Sequence, residues 1–442
     1  MVVHIKENTM KALAIFKNIL LVAVVVSFAS CKPEFKDVTP SKGTADFTRY
    51  IAVGNSLTSG FADGGLYLEG QQNSFPEMIA GQMKSVGGGE FFSSFFGPGQ
   101  ENGSGYLRLK GFSATGLPVT ETVTENLAIR GQITLPQVGA VTLYTKFTGE
   151  LNNYGVPGIK LTNIDNPGYG NANGFFERLL PAPSPGNTTS YLSFVTAKPF
   201  TFFSMWLGNN DILGYATAGG AADAPTDKTR FAAVYNAAAS ALTATGAKGV
   251  VATIPDVLAT PHFNTVTLAS LLAAVQVSAP SVTGLYIQPG TGPARLATSA
   301  DYFVLPFGSA NLLGVVTGGI PYGLNPRNPI ESKYVLDQDE AAIVNDYVNA
   351  YNTTIKAVAA AKGLAVMDAY ALLKEFGAGK VVNGETVSAA YITGNLFSLD
   401  GIHLTPKGYA IVANEFIKSI NREYNSTIPI VDVAKYRGVK FP

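Results

Sequence analysis

The sequence predicts an α/β fold in which helices cover both faces of a parallel sheet. Short apolar runs of strand length alternate with longer stretches that carry apolar residues at helical spacing, and this alternation is typical of such a sheet. The strand-like runs are 50–53, 202–207, 250–254 and 364–367, and the helical stretches are 75–86, 227–244, 337–361 and 406–420. The last helix starts clearly, because Thr405 is a good cap and Pro406 suits the first helical position. Functional side chains of parallel sheets collect where the strands end.

Two stretches interrupt this alternation. Residues 87–150 contain short segments of alternating polarity, which favour hairpins over helices. Residues 262–333 are rich in glycine and proline and carry only short apolar runs. We expect both stretches to be loop-rich or β-rich insertions into the α/β fold.

Composition excludes several classes of protein. The 442 residues include 31 basic and 31 acidic side chains, so there is no positive charge excess for binding nucleic acid. An apolar content of 46% is enough for a large core. The single cysteine excludes an intrachain disulfide framework and a zinc site built from several thiolates. No cluster of residues predicts a metal site or a cofactor.

The first thirty residues predict a secretory signal. Lys11 and Lys17 precede or flank an apolar run over 19–26, and small residues lead to Cys31. The run is too short to span a bilayer comfortably, which takes about 20 apolar residues. The lone cysteine lies where a bacterial lipoprotein signal has its acceptor thiol, so the segment resembles a lipobox, with Phe28 at the position usually held by leucine. We expect residues 1–30 to be removed and Cys31 to carry lipid; plain secretion with a leftover thiol is the alternative.

Residues 32–48 are polar and without periodicity. They predict a flexible stalk over 31–48 that would separate an anchor from the folded domain.

Histidine is the most restrictive clue to chemistry. Only three are present, and His4 lies in the signal, so an imidazole proton shuttle must use His262 or His403. His403 follows Asp400 by three residues across a turn, a spacing that lets a carboxylate hold the imidazole in one tautomer. The alternative for this motif is an ordinary surface turn. His262 has no carboxylate at turn spacing, and we expect a loop histidine with satisfied hydrogen bonds.

A nucleophile and hydrogen-bond donors follow other predicted strands. Ser56 comes directly after the first strand, where Gly54 permits a tight turn; a polar turn without function is the alternative. Gly158 ends a turn over 153–158, and Asn210 follows the strand over 202–207. The backbone N–H groups of Ser56 and Gly158 and the Asn210 side-chain amide could together form an oxyanion hole.

These segments, in this order, resemble the SGNH (GDSL-type) hydrolase superfamily, and most closely its lipoprotein members from Bacteroidota. The four blocks are 54–60 (GNSLTSG), 153–158 (NYGVPG), 207–211 (LGNND) and 400–403 (DGIH). One departure is Asn55, where the family usually has aspartate. The resemblance implies a three-layer α/β/α, flavodoxin-like domain over 49–425, followed by a C-terminal tail over 426–442.

The resemblance also implies the roles of the site residues. Ser56 would be the nucleophile, His403 the base and Asp400 the residue that orients it, while Ser56, Gly158 and Asn210 would donate to the oxyanion. The implied protein is a lipid-anchored serine esterase or lipase-type acyl hydrolase that works without a cofactor through an acyl-enzyme. A non-catalytic glycan- or lipid-binding lipoprotein and an acyltransferase remain as alternatives.

The implied location is the bacterial outer membrane, on its periplasmic face or at the cell surface. The substrate could be an O-acetylated glycan, a lysophospholipid or a small ester, and the sequence does not choose among these. It also leaves the oligomeric state open. Asp63 is expected to be solvated at the rim of the cleft, and Trp206 to pack in the core; the aromatic residues over 91–96 could form a lip for an acyl chain or pack against the sheet.

Overall fold

A five-stranded parallel sheet forms the centre of the computed structural model, which describes residues 39–112 and 118–442. Its strands are β1 (Tyr50–Gly54), β2 (Asn153–Gly155), β3 (Phe202–Trp206), β4 (Lys248–Ala252) and β5 (Ala365–Met367). They lie in the order β2-β1-β3-β4-β5 and pair in parallel throughout. The predicted α/β fold with a parallel sheet is therefore confirmed. Strand β2 is the one that the apolar pattern does not reveal, because its residues, Asn153, Tyr154 and Gly155, do not form an apolar run.

Helices cover both faces of this sheet. The principal helices are α1 (Ser56–Ser59), α2 (Phe75–Met83), α3 (Asn210–Thr217), α4 (Lys228–Thr243), α5 (Gln338–Lys362), α6 (Ala369–Glu375) and α7 (Pro406–Tyr424). The other helices are Leu68–Gln72, Tyr169–Ala172, Gly174–Glu177, Tyr191–Val195, Pro261–Asn264, Leu268–Gln276 and Leu305–Ser309. None of the helices in the described part of the chain combines the length and the apolar character needed to cross a bilayer.

Alternation along the strands divides the core into two halves. Successive side chains of a strand point to opposite faces of the sheet. Ile51 and Val53 accordingly pack with α3, α4 and α5 on one face, whereas Tyr50 and Ala52 pack with α2, α6 and α7 on the other. The result is the three-layer arrangement that the family resemblance implies.

The long helices begin and end where the sequence provides caps. The Asp337 side chain accepts from two N–H groups of α5, and Glu340 completes a capping box; Gly363 ends the helix with φ of +62°. The Thr405 hydroxyl accepts from the Gly408 N–H at 3.0 Å, directly before Pro406 in α7. These caps fix the helix ends that the sequence predicts to within a few residues.

The first insertion contains the expected hairpins. Tyr106–Phe112 pairs with Pro118–Val123, and Ile129–Leu135 pairs with Gly139–Tyr144, both antiparallel. The second insertion contains the three short helices between residues 261 and 309 and several minimal strands. The remaining strands are Tyr286–Ile287, Arg295–Leu296, Tyr302–Phe303, Val316–Thr317, Ile320–Pro321, Val335–Leu336, Lys380–Val382 and Glu385–Val387.

The two ends of the domain pack onto it. The predicted signal over 1–30 and Cys31 lie outside the described residues, as does the predicted stalk up to residue 38. From about residue 41 the chain is not a free stalk, because Ala45 and Phe47 are buried and the Thr44 N–H donates to the Tyr424 carbonyl. Residues 426–442, expected to be a tail, also bury apolar side chains, Val431 and Val433 among them.

His262 differs from the expected satisfied loop histidine. Its side chain is 7% exposed, and both ring nitrogens lack a hydrogen-bond partner among the described residues. Its backbone N–H donates to the Gly401 carbonyl at 3.1 Å, which ties the second insertion to the segment before α7. Burial lowers the pKa of His262 to about 4, although the charge of Asp400 opposes this shift. The prediction fails because long-range packing, invisible in local sequence, covers the ring.

The cap of α7 gives a test of the fold. Replacing Thr405 with alanine removes the hydroxyl that accepts from the Gly408 N–H and donates to the Asn395 carbonyl. We expect Thr405→Ala to lower the free energy of unfolding by about 1–2 kcal/mol. Thr405→Ser keeps the hydroxyl and is the matched control. Urea unfolding measures both; equal losses for alanine and serine would contradict the capping role.

The burial of His262 gives a second test, through pH. Unfolded histidine has a pKa near 6.5, so the unfolded chain binds this proton more readily than the folded chain does. The free energy of unfolding should therefore fall as pH is lowered from about 6.5 towards 4, with His262 contributing about 2 kcal/mol between pH 7 and pH 5. In His262→Phe the same pH change should cost correspondingly less. Urea unfolding at both pH values compares the slopes; identical slopes in parent and variant would contradict this account.

Candidate active site

Ser56 stands at the sharp turn between β1 and α1. The turn requires glycine before it, since a Cβ on Gly54 would lie 2.0 Å from the Thr58 hydroxyl. Asn55 caps α1 by accepting from the Leu57 N–H at 3.0 Å, and its amide donates to the Asn209 side chain at 3.2 Å. Asn55, where the family usually has aspartate, therefore serves as a helix cap. Its side chain bonds to Leu57 and Asn209 and not to the Ser56 hydroxyl.

His403 connects Ser56 with Asp400. Its Nε2 lies 2.8 Å from the Ser56 Oγ, and its Nδ1 lies 2.9 Å from the Asp400 Oδ2. Ser56 and His403 are 347 residues apart in sequence. The structure thus brings together the three residues that the sequence singles out, in the order hydroxyl, imidazole, carboxylate.

The Asp400 carboxylate is held by several hydrogen bonds. One oxygen accepts from the backbone N–H groups of Ile402 at 2.9 Å and His403 at 2.8 Å, and lies 3.3 Å from the Ser398 hydroxyl. The other oxygen, which faces the His403 ring, also accepts from the Gly64 N–H at 2.8 Å. Burial favours the protonated acid, but the charge of His403 and these hydrogen bonds outweigh it and hold the pKa of Asp400 well below its usual value. Asp400 is therefore a fixed negative charge.

A loop after Ser56 supports this carboxylate, and sequence reasoning missed its role. Asp63 is buried and not solvated at the cleft rim as expected; its carboxylate accepts from the Leu399 N–H and the Tyr67 hydroxyl. Its backbone N–H donates to the Ser398 hydroxyl at 2.9 Å, and burial raises the pKa of Asp63. This places the next residue, Gly64, against Asp400. The only local signal is an acidic residue followed by two glycines, which indicates a turn but no partner.

Asn210 begins α3 at the end of β3. Its amide nitrogen donates to the Ile159 carbonyl at 2.9 Å. A side-chain amide has two N–H donors, so one fixes the orientation of the group and the second remains for a ligand. The same hydrogen bond ties Asn210 to the loop that follows β2, which contains Gly158.

Gly158 suits a donor role better than Gly155, the other glycine of its turn. The Gly155 N–H is already engaged by the Asn153 side chain at 3.0 Å. Gly158 has φ of +81°, and no hydrogen bond within the described residues uses its N–H. The loop lies beside the nucleophile turn, since β2 pairs with β1 and the Val156 N–H donates to the Gly54 carbonyl.

The position of the site follows from the strand order. The chain passes from β1 outward to β2 and then back across β1 to β3, so the ends of β1 and β3 flank the point where the order reverses. Ligands of open α/β sheets bind at such a crevice. Ser56 follows β1 and Asn210 follows β3, and both line one pocket together with His403.

Aromatic residues extend from His403 to the first insertion. The Phe61 ring lies 4.6 Å from the His403 ring and 6.4 Å from Phe175, which in turn stacks on Tyr144 at 4.5 Å. Tyr144 ends the second hairpin of the insertion. The hairpin therefore contributes to one side of the active-site surroundings.

Other residues considered in the sequence have different positions. Phe91 stacks on Tyr50 at 5.1 Å, and no residue of 91–96 lines the pocket of Ser56. Trp206 is buried in the core, as expected, and one face of it also lines that pocket. Across residues 39–112 and 118–442, no group of three or more histidine, cysteine, aspartate or glutamate side chains is arranged to hold a metal ion.

Several solved structures are similar to this chain at low identity. A lipase/acylhydrolase from Enterococcus faecalis is 11% identical, with 87% of this chain and 100% of that chain covered and a TM-score of 0.32. An extracellular lipase from Streptomyces rimosus is 13% identical, with 86% and 100% covered and a TM-score of 0.31. LAE5, an alpha/beta hydrolase from the metagenome of Lake Arreo in Spain, is 10% identical, with 85% and 96% covered and a TM-score of 0.36.

The family itself is shown by sequence. No curated protein is similar enough to match the chain. The family model described as GDSL-like lipase/acylhydrolase matches residues 50–416, which begins at β1 and ends within α7. This range includes Ser56, Asn210 and His403 and most of the chain, so the protein belongs to the GDSL-like lipase/acylhydrolase family.

Proposed function

We propose that this protein is a serine esterase that hydrolyses carboxylic esters through an acyl-enzyme on Ser56. The observation that carries the proposal is the hydrogen-bonded series from the Ser56 Oγ through the His403 imidazole to the Asp400 carboxylate, with separations of 2.8 and 2.9 Å. Acyl transfer requires a nucleophile, a base within hydrogen-bonding distance of it and a third group that orients the base.

The first half of the reaction forms the acyl-enzyme. His403 Nε2 takes the Ser56 proton as the Oγ attacks the ester carbonyl carbon. The carbonyl oxygen becomes an oxyanion, which the free Asn210 N–H and the backbone N–H groups of Ser56 and Gly158 would stabilise. The protonated His403 then gives its proton to the departing alcohol oxygen as the ester C–O bond breaks.

The second half releases the acid. Water occupies the position that the alcohol has left, His403 accepts one of its protons, and the water oxygen attacks the acyl carbon. Collapse of this second intermediate breaks the bond to the Ser56 Oγ, which recovers its proton from His403. Asp400 remains ionised through both halves because its carboxylate oxygens accept from fixed donors, and it stabilises the imidazolium each time it forms.

The geometry favours catalysis over a binding module on the same fold. A binding protein needs neither the short contact between Ser56 and His403 nor a carboxylate held against the far side of the imidazole. An acyltransferase uses the same three residues, and the choice of acceptor, water or another alcohol, is what separates it from an esterase.

We also propose, from the sequence, that lipid on Cys31 anchors the enzyme to the bacterial outer membrane. The supporting observations are the basic residues and the apolar run that precede the lone cysteine. An enzyme anchored in this way would have access to glycan or lipid esters at the membrane.

The proposed nucleophile and base can be tested together. We expect Ser56→Ala and His403→Ala to lower kcat for p-nitrophenyl acetate by an amount on the order of 10⁴–10⁶-fold, because the attacking oxygen or its base is lost. A fluorophosphonate probe should modify Ser56 in the parent protein and leave Ser56→Ala unmodified. Ser85→Ala, at an exposed serine, is the control. Esterase activity that persists in both active-site variants would exclude the proposed mechanism, and transfer to an added alcohol that exceeds hydrolysis would favour the acyltransferase.

The oxyanion role of Asn210 makes a separate prediction. Asn210→Ala should lower kcat by about 10²–10³-fold with little change in KM, because the amide would contact the oxygen only once it is negatively charged. Asn328→Ala is a matched control, since its half-buried amide also donates to a backbone carbonyl, that of Ile320 at 3.0 Å, but lies in the second insertion. Steady-state kinetics with thermal unfolding of each variant measures both effects. Equal kcat values in the two variants would remove Asn210 from the oxyanion hole.

A further inference from the structure

Ser56 and His403 line a pocket whose other walls are mostly apolar. The pocket has an empty volume of about 800 Å³, which includes the space open to solvent at its mouth. Its walls include Trp206, Leu373 and Phe376, each less than a tenth exposed. Because these side chains belong to the core, the pocket extends from the catalytic residues into the space between the sheet and the helices on one of its faces.

One face of α6 forms much of the wall. Ala369, Leu372 and Leu373 point into the pocket, and Phe376 follows directly after the helix. The spacing of these residues, three, four and seven positions from the first, places them on one side of a helix. Helix α7 adds further apolar side chains, Ile411 and Val412.

The polar side-chain atoms of the pocket wall are already hydrogen-bonded, apart from those of Ser56, His403, Asn210 and its neighbour Asn209. The Trp206 indole N–H donates to the Thr253 carbonyl at 3.1 Å, and the Thr260 hydroxyl donates to the Val257 carbonyl at 2.9 Å. The Asn55 amide N–H donates to the Asn209 Oδ1 at 3.2 Å, whereas the Asn209 amide nitrogen, next to Asn210 in the chain, has no partner among the described residues. No aspartate, glutamate, lysine or arginine is among the lining residues. A sugar hydroxyl or a charged group placed among the apolar side chains of α6 and α7 would lose its hydration without gaining partners, which is unfavourable.

We propose that this pocket binds the alkyl chain of the substrate's acyl group, so that the enzyme prefers esters of medium- or long-chain fatty acids to acetyl esters. The inference rests on the proposed function, because it assigns the pocket to the group that becomes bonded to Ser56. Transfer of an alkyl chain from water to an apolar pocket is favourable in proportion to the length of the chain.

The reaction chemistry assigns the pocket to the acid and not to the alcohol. After the first half-reaction the alcohol leaves, and water must take its place beside the His403 Nε2. That position must be reached easily from solvent, whereas the acyl group stays on Ser56 and can lie in a dry pocket throughout. An apolar pocket that penetrates the core suits the part of the substrate that water does not have to replace.

Two series of esters test the assignment. In p-nitrophenyl esters from acetate to dodecanoate, used below their micelle concentrations, we expect kcat/KM to rise roughly fourfold per methylene until the pocket is filled. In acetate esters of alcohols from ethanol to decanol, kcat/KM should stay nearly constant. A flat or falling acyl series, or a rise confined to the alcohol series, would overturn the inference.

Variants of α6 test the location. Ala369→Leu fills part of the pocket and should lower kcat/KM for the decanoate ester at least tenfold more than for the acetate ester. Ala371→Leu makes the same change at an exposed position of the same helix and should alter neither value. Leu372→Ala enlarges the pocket and should shift the optimum to longer chains. Unchanged chain-length profiles in both Ala369→Leu and Leu372→Ala would overturn the assignment to this pocket.

The acetate ester distinguishes the two proposals. If acetate hydrolysis depends on Ser56 but the acyl series is flat, the esterase function stands and the alkyl pocket fails. If no ester is hydrolysed and a fluorophosphonate does not modify Ser56, the proposed function itself fails, and the inference fails with it.

Discussion

The hydrogen bonds around the Asp400 carboxylate are the constraint on which the site depends. They join two parts of the chain: the turn that contains Ser398, Asp400 and His403, and the loop after α1 that contributes the Gly64 N–H. The imidazole can point at Ser56 only if this carboxylate is fixed behind it. The cap of α7 by Thr405, two residues after His403, sets where the turn ends and the helix begins. Asp63 holds the loop against the turn and so acts on the site without touching substrate.

The sheet provides the second half of the arrangement. Its strand order places β1 between β2 and β3, and each of these strands is followed by one element of the site. The glycine at the end of β1 lets Ser56 turn towards the crevice, and the bond from Asn210 to the Ile159 carbonyl joins the loops that follow β2 and β3. The scaffold thus holds the proposed oxyanion donors in place before any charge develops, and donors fixed in advance are the ones that stabilise an oxyanion effectively.

The sequence predicts the parts of this structure that local patterns encode. Four strands and the long helices follow from apolar spacing, and the cap at Thr405 follows from a side chain that bonds to its own backbone. Ser56 and His403 could be singled out because one follows a strand and the other is one of very few histidines. What local sequence does not contain is contact between distant segments. Strand β2 is recognisable only by its pairing with β1, and the burial of Asp63 depends on Leu399, 336 residues away.

The pocket is also formed by segments that are distant in sequence, so local patterns do not predict it. It affects both the stability of the protein and the proposed choice of substrate. The apolar side chains of α6, α7 and the end of β3 leave space between them. Empty apolar volume lowers stability, because the lining atoms lose contacts, and it is normally filled by larger side chains. Ala369, the smallest side chain of the wall, maintains the space at a position where leucine would increase core contacts. With this space beside its proposed nucleophile, the protein has fewer core contacts than a filled core would have. A bound substrate can supply the missing contacts, and an alkyl chain is the group whose chemistry matches the walls.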